Sequence, residues 1–282
     1  MGAAMTDDEI NTIFAGAEFG AGVEGGPDGP ATPDTSASDD SSEGGRYLQH
    51  WWDRAKWGVL YEVAAGYDDP DTIVQTLVRC WFTDVPNDYS AEDRLTIAGE
   101  LTESAIAYHA QWQKSWDART DCDRLDELGQ RLLEDGIVLW QGAPCCAECA
   151  WEDLDDVIEA ARGKYNADEL DFSFFHEGTL IPVVRDGLDG RRGRLMLNYG
   201  SYEAHRAMED ASDWTPDEDR ESWTKLGVDV GRKIAIAADK VGLIALWDGD
   251  INRRIGLRVK WQKRRNRFGR SITPPGCVRP SP

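Results

Sequence analysis

Apolar residues recur at steps of three and four along much of the first half of the chain. Ile73, Val74, Leu77, Val78 and Trp81 form such a stripe behind Asp69-Pro70, a cap followed by proline at the first helical position. A second helix is predicted from Ser90 through Leu95, Ala98, Leu101, Ala105 and Trp112. A third carries Leu125, Leu128 and Leu132 and stops at Gly136. Past Gly136 the period changes. Ile137 to Trp140 is a short apolar run suited to a buried strand; a group of cysteines follows, then a helix from about Trp151 to Arg162 closed by Gly163. Phe172 to His176, Leu180 to Val184 and Leu195 to Tyr199 read as strands, connected at Gly178 and over Asp186 to Gly193.

Thr215-Pro216-Asp217-Glu218 is a capping box with proline in its favoured place, and Trp223, Leu226, Val230, Ile234, Ala237 and Val241 repeat behind it at helical spacing. Leu243 to Trp247 is a strand and Asp248-Gly249-Asp250 its turn. Ile255, Leu257, Val259 and Trp261 then alternate with Arg254, Gly256, Arg258 and Lys260, so the final strand has one buried face and one basic, wet face. The element order predicts an α+β fold. An N-terminal helical part is followed by an antiparallel or mixed sheet built from β-hairpins, with helices packed on one face. The expected organisation is a disordered acidic leader over 1–46, a helical part over 47–136, a sheet part over 137–263 and a disordered basic tail over 264–282, with 47–263 as one compact unit.

The two ends differ in charge. Ala15 to Gly45 is mostly Gly, Ala, Pro, Asp, Ser and Glu, with only Phe19 and Val23 to bury, so ordering it costs entropy without compensation. Ahead of it, Thr6-Asp7-Asp8-Glu9 has capping-box spacing and Ile10, Ile13 and Phe14 share a helical face. That is either a fraying peptide or a short amphipathic segment that docks on a protein partner. Lys263, Arg264, Arg265, Arg267, Arg270 and Arg279 make the other end basic. It is read as a solvated tail folding back on the acidic body, or as a contact for an acidic partner or nucleic acid.

Composition narrows the function classes. With 41% apolar residues and 12 Trp among 282, a sizeable core is feasible. A formal charge of −21 repels phosphate backbones and argues against a general nucleic-acid binder. No run of about 18 uncharged apolar residues occurs, and Met1 is followed by Gly, Ala and acids, so neither a membrane span nor a secretory signal is expected. Six cysteines are then read as reduced thiols in a cytoplasmic protein.

Two groups could carry chemistry. Cys145, Cys146 and Cys149 present a Cys-x-x-Cys pair, which suits zinc if Cys80, Cys122 or His176 completes the shell. Ordinary thiols are the alternative. A redox role is the third reading, opposed by Glu148, Glu152, Asp153, Asp155 and Asp156, which disfavour a thiolate nearby. His176 falls in phase with Phe172 and Phe174. It reads as a core histidine, or as a general base or ligand beside Glu177 and Tyr199, with Asp248 or Arg253 binding an anionic group. No Gly-rich nucleotide loop, paired-His helix or Gly-x-Ser-x-Gly elbow is present.

Thr120-Asp121-Cys122-Asp123-Arg124-Leu125-Asp126, Gly136-Ile137-Val138 and Cys145-Cys146-Ala147-Glu148-Cys149 occur in order with Phe174-Phe175-His176, Leu197-Asn198-Tyr199-Gly200 and Trp247-Asp248-Gly249. Arg253-Arg254-Ile255 follows the last of these. Together they resemble a family of uncharacterised bacterial proteins classed as a domain of unknown function, over roughly Trp57 to Lys263. The chain departs from that pattern after the histidine, where Glu177-Gly178-Thr179 stands in place of a Gln-Gln-Asp-Thr-like run. The resemblance implies a shared fold and a cytoplasmic bacterial or phage setting, with no activity attached. A non-catalytic intracellular binding or regulatory domain is therefore the expectation. A small enzyme, hydrolytic at His176 or thiol-based at Cys146 and Cys149, and an acidic nucleic-acid mimic are the alternatives.

Overall fold

The computed structural model describes residues 12–14, 40–82, 89–143, 146–209, 211 and 216–266, the side chains of 40–51 excepted. The helix expected from Ser90 and the one carrying Leu125 both start on reciprocal caps. The Ser90 hydroxyl accepts from the Asp93 N–H at 3.1 Å while the Asp93 carboxylate accepts from the Ser90 N–H at 2.8 Å, and Thr120 and Asp123 repeat the arrangement. In chain order the helices are α1 (Asp40–Ala65), α2 (Pro70–Thr76), α3 (Ala91–Gln113) and α4 (Asp121–Glu134), with α2 running into a wider turn over Leu77–Trp81. After strand β1 (Ile137–Ala143) come α5 (Ala147–Glu152), α6 (Leu154–Tyr165), β2 (Asp171–His176), α7 (Glu177–Leu188) and β3 (Gly193–Gly200). The rest is α8 (Tyr202–Glu209), α9 (Asp217–Val241), β4 (Ile244–Leu246) and β5 (Ile255–Val259).

The strands form one mixed sheet in the order β1-β2-β3-β5-β4; β1 and β2 are parallel and the other pairs antiparallel. Among the described residues only β4 and β5 make a hairpin, turned at Gly249 with φ +90°. The antiparallel pair β2 and β3 is joined instead through α7. Leu180 to Val184, expected as a strand, lies inside that helix. Its buried residues Leu180, Val183, Val184, Gly187 and Leu188 fall at helical steps, a pattern that the short apolar run around Pro182 hides. Likewise the helix after the cysteines is two pieces, closed by Asn166 in the left-handed region at φ 50° rather than by Gly163.

The inner face of the sheet packs on α4, α7 and α9, with Leu139, Phe175, Leu195, Leu197, Leu257 and Val259 buried against Leu125, Val184 and Ile234. Helices also cover part of the other face. Val138, Trp140, Phe172 and Phe174 pack there against Leu154, Val157, Ile158 and Ala161 of α6. One-sided cover thus holds only for the β3-β5-β4 half. A third cluster joins α1, α2 and α3 through Val59, Leu60, Ile73, Leu77, Ala98 and Leu101.

Helix α1 starts at Asp40, so residues 40–46 are helical, although the sequence places them in the leader; packing of Ala55, Val59 and Val63 propagates the helix outward. Phe14 is buried in that same cluster, so this end of the amphipathic segment docks on its own chain. Ile10 and Ala15 to Asp39 lie outside the described residues, as do Thr215 and the tail beyond Asn266.

After β5 the chain continues as a strap across α7, α4 and α1. Trp261 is buried and its indole N–H donates to the Ala64 carbonyl at 3.0 Å. A Cβ at Gly187 would lie 2.5 Å from the Trp261 carbonyl oxygen, which is why α7 has glycine where the strap crosses. Lys263 grips both oxygens of Asp126 at 2.6 and 2.8 Å; Asp126 accepts from Gln141 at 3.2 Å, and Gln141 accepts from Tyr67 at 3.0 Å. Arg265 donates to the carbonyls of Val63, Asp68 and Glu62, ending α1. The sequence groups Lys263, Arg264 and Arg265 with the basic end. They are part of the body, because Lys263 satisfies a buried carboxylate and Arg265 donates to backbone carbonyls at and just past a helix end.

Candidate functional site

The carboxyl ends of the parallel strands β1 and β2 lie side by side, and both lead straight into helices. Gly142, at φ +67°, forms a bulge that shifts the register between Gln141 and Ala143 and pairs Ala143 with His176. The chain then reaches Cys146, extended at φ −141° and ψ 174°, which begins α5 without a side-chain cap. The sulfurs of Cys146 and Cys149 are 3.6 Å apart, and both residues are half-buried. Glu148 lies between them in sequence, and its exposed carboxylate accepts from the Cys146 thiol. That bond, the Glu148 backbone N–H and the nearby charges of His176 and Arg254 hold the carboxyl below its usual range. Cys145 lies outside the described residues.

His176 is buried and continues the face of Phe172 and Phe174, as alternation requires. It starts α7, and its carbonyl accepts from the Thr179 hydroxyl at 2.9 Å. Glu177 is the first, half-buried residue of that helix. Trp151 of α5 covers the adjoining aromatics, edge-on to Phe172 and Phe174 and stacked on His205.

Tyr199 does not join this group. It pairs with Ser173 and belongs to the inner-face cluster, on the opposite side of the sheet from His176. Its hydroxyl lies 3.3 Å from the carbonyl oxygens of Asp250 and Arg253, and burial, with Asp250 and Asp248 nearby, pushes its pKa up to about 12. Asp248 pairs with Arg253 at 2.9 Å and accepts from the Asp250 N–H at 3.2 Å. Trp247 packs edge-on against Tyr199 and donates to the Asp250 carbonyl at 3.1 Å. Tyr199, Asp248 and Arg253 thus come together, as the lock of the β4–β5 turn. The five residues expected around an anionic substrate divide into two groups on opposite faces.

The sequence signal that leads furthest is the alternating basic strand. Register aligns Arg194 of β3 with Arg258 of β5 and Ile244 of β4, and Met196 with Gly256 and Leu246. Arg254 continues the same face. All three arginines are exposed, Ile244 is 56% and Leu246 39% exposed, and Met196 is half-buried. On a chain of charge −21 this outer half-sheet is a cationic surface with an aliphatic edge. Its contributions from β3 and β4 escape sequence reading, because strand neighbours are set by pairing.

Among the described residues, no group of three or more His, Cys, Asp or Glu side chains is arranged to hold a metal ion. Nor, among them, is any helix long and apolar enough to cross a membrane. Fold and site together define an α+β domain with a helical N-terminal part, a five-stranded mixed sheet and one open, basic half-face. The model of one family, described as Domain of unknown function (DUF6891), matches residues 51–265, and the chain belongs to that family. The match ends at Arg265, the last residue of the strap that grips α1. No curated protein and no solved structure matches the chain.

Proposed function

We propose that this chain is a non-catalytic intracellular binding or regulatory domain that docks an acidic, partly apolar protein segment on the outer face of β3-β5-β4. The carrying observation is the set of exposed Arg194, Arg254 and Arg258 beside exposed Ile244 and Leu246, in a chain otherwise strongly acidic. Like charge over the rest of the surface keeps a polyanion from spreading beyond this face. A short acidic segment with aliphatic residues therefore fits better than a nucleic acid, which would bring only phosphates and bases to the aliphatic edge. Covering the two aliphatic side chains adds about 1 kcal/mol each, part of the apolar-burial scale for a full side chain. Six cysteines without a disulfide-framework pattern support the intracellular placement.

The test is fluorescence anisotropy with a labelled dodecapeptide alternating Glu and Leu, titrated with the full chain at low and moderate salt. Binding should weaken with salt, fall at least tenfold in the variant Arg194→Glu, Arg254→Glu, Arg258→Glu, and survive His176→Ala. Unchanged affinity in the triple variant refutes the reading. So does a single-stranded oligonucleotide that binds as tightly as the peptide.

A further inference from the structure

Cys146 and Cys149 stand one helical turn apart at the start of α5, with their sulfurs at 3.6 Å. A disulfide requires about 2.05 Å, so closure needs a shift of roughly 1.5 Å, within reach of side-chain rotation on a six-residue helix. The pair is half-buried, which admits a small reagent. Cys122, by contrast, is enclosed beneath the strap: it accepts from the Gln262 N–H at 3.2 Å, and burial pushes its thiol pKa up. Cys80 is exposed and stands alone in its stretch of sequence.

We propose that Cys146 and Cys149 are a thiol–disulfide modification site that closes by exchange with a low-molecular-weight disulfide such as oxidised glutathione. One thiol of the pair loses its proton, and the thiolate attacks a sulfur of the small disulfide. The S–S bond of that reagent breaks, a mixed disulfide forms and one glutathione thiolate leaves, taking up a proton. The second cysteine, deprotonated in turn, attacks the mixed disulfide and expels the second glutathione. The protein is oxidised by two electrons, the reagent is reduced to two thiols, and both protein thiol protons end on them.

The surroundings set the character of this site. Glu148 accepts from the Cys146 thiol, Glu152, Asp153, Asp155 and Asp156 follow in sequence, and the charge of Arg254 reaches Glu148 from just ahead of β5. The pair is therefore a modification site, closed and reopened by exchange with small disulfides and thiols.

The experiment uses the full chain in a Cys145→Ser background, equilibrated in glutathione buffers of stepped ratio, trapped with an alkylating reagent and read by peptide mass spectrometry. Loss of both labels from Cys146 and Cys149 together, restored by dithiothreitol, is expected. Replacing either one by Ser should stop the reaction at a mixed disulfide on the other. Closure that vanishes with Cys145→Ser alone assigns the bond to Cys145 and overturns the proposal. So does a pair that stays fully alkylated at the most oxidising ratio while Cys80 becomes glutathionylated.

Discussion

Two sets of cations stand a few residues apart at the end of the chain and do opposite things. Arg254 and Arg258 point outward from β5 into solvent, joined by Arg194 of the neighbouring strand. Lys263 and Arg265, just beyond, are buried at 1% and 5% exposure and donate to a carboxylate and to backbone carbonyls. Charge alone therefore predicts neither role. A buried cation is tolerable only where acceptors are already placed for it, and it then fixes the geometry of what it touches. An exposed one leaves the fold indifferent and stays available to a partner.

That contrast can be broken most severely at Lys263. Replacing it with Ala strands Asp126, whose carboxyl burial already pushes upward in pKa, and should cost about 3–5 kcal/mol by urea unfolding. The double change Lys263→Met, Asp126→Leu should recover most of that loss, because an apolar pair has no charge left to desolvate. Arg265→Ala should cost about 2–3 kcal/mol, since two carbonyls at the end of α1 and that of Asp68 just beyond it lose a charged donor. The guanidinium itself is held down to a pKa of about 10 by burial, so it remains charged at neutral pH.

A smaller effect comes from His109, enclosed by Trp112 and Trp116 close to Arg265. Burial first, then Arg265, lowers its pKa to about 3. Because the folded value lies below the unfolded one near 6.5, the unfolded chain binds the proton first. The stabilisation is complete above about pH 6.5 and is lost as pH falls toward 3. Between pH 7.5 and 5 the loss should be about 2 kcal/mol, and His109→Phe should flatten that slope. At the exposed set, Arg194→Ser, Arg254→Ser, Arg258→Ser should change stability by less than about 0.5 kcal/mol while reducing binding of the acidic peptide. A triple variant as destabilised as Lys263→Ala would erase the distinction.

Reading the chain alone recovers the locally encoded parts. The cap at Asp69, the stop at Gly136, the turn at Gly249 and the buried and basic faces of β5 all depend on residues within a few positions of one another. Leu180 to Val184 reads as a strand but folds as helix for a related reason. A five-residue apolar run has no period of its own, and its helical partners Gly187 and Leu188 lie just past it. The candidate site shows the same division. The phase of His176 and the Cys-x-x-Cys spacing were visible, but the separation of His176 from Tyr199 by the thickness of the sheet was not.

What the sequence determined by itself is most of the elements, the α+β class and the family, because side-chain period, capping and motif order are properties of neighbours along the chain. Only the tertiary structure decided that Arg265 ends a helix some two hundred residues earlier, at Glu62 and Val63, and that Arg194 lies beside Arg258. The physical reason is that burial and strand pairing bring together positions with no local relation. Whether a charge is a fastening or a binding surface depends on the acceptors that folding delivers to it.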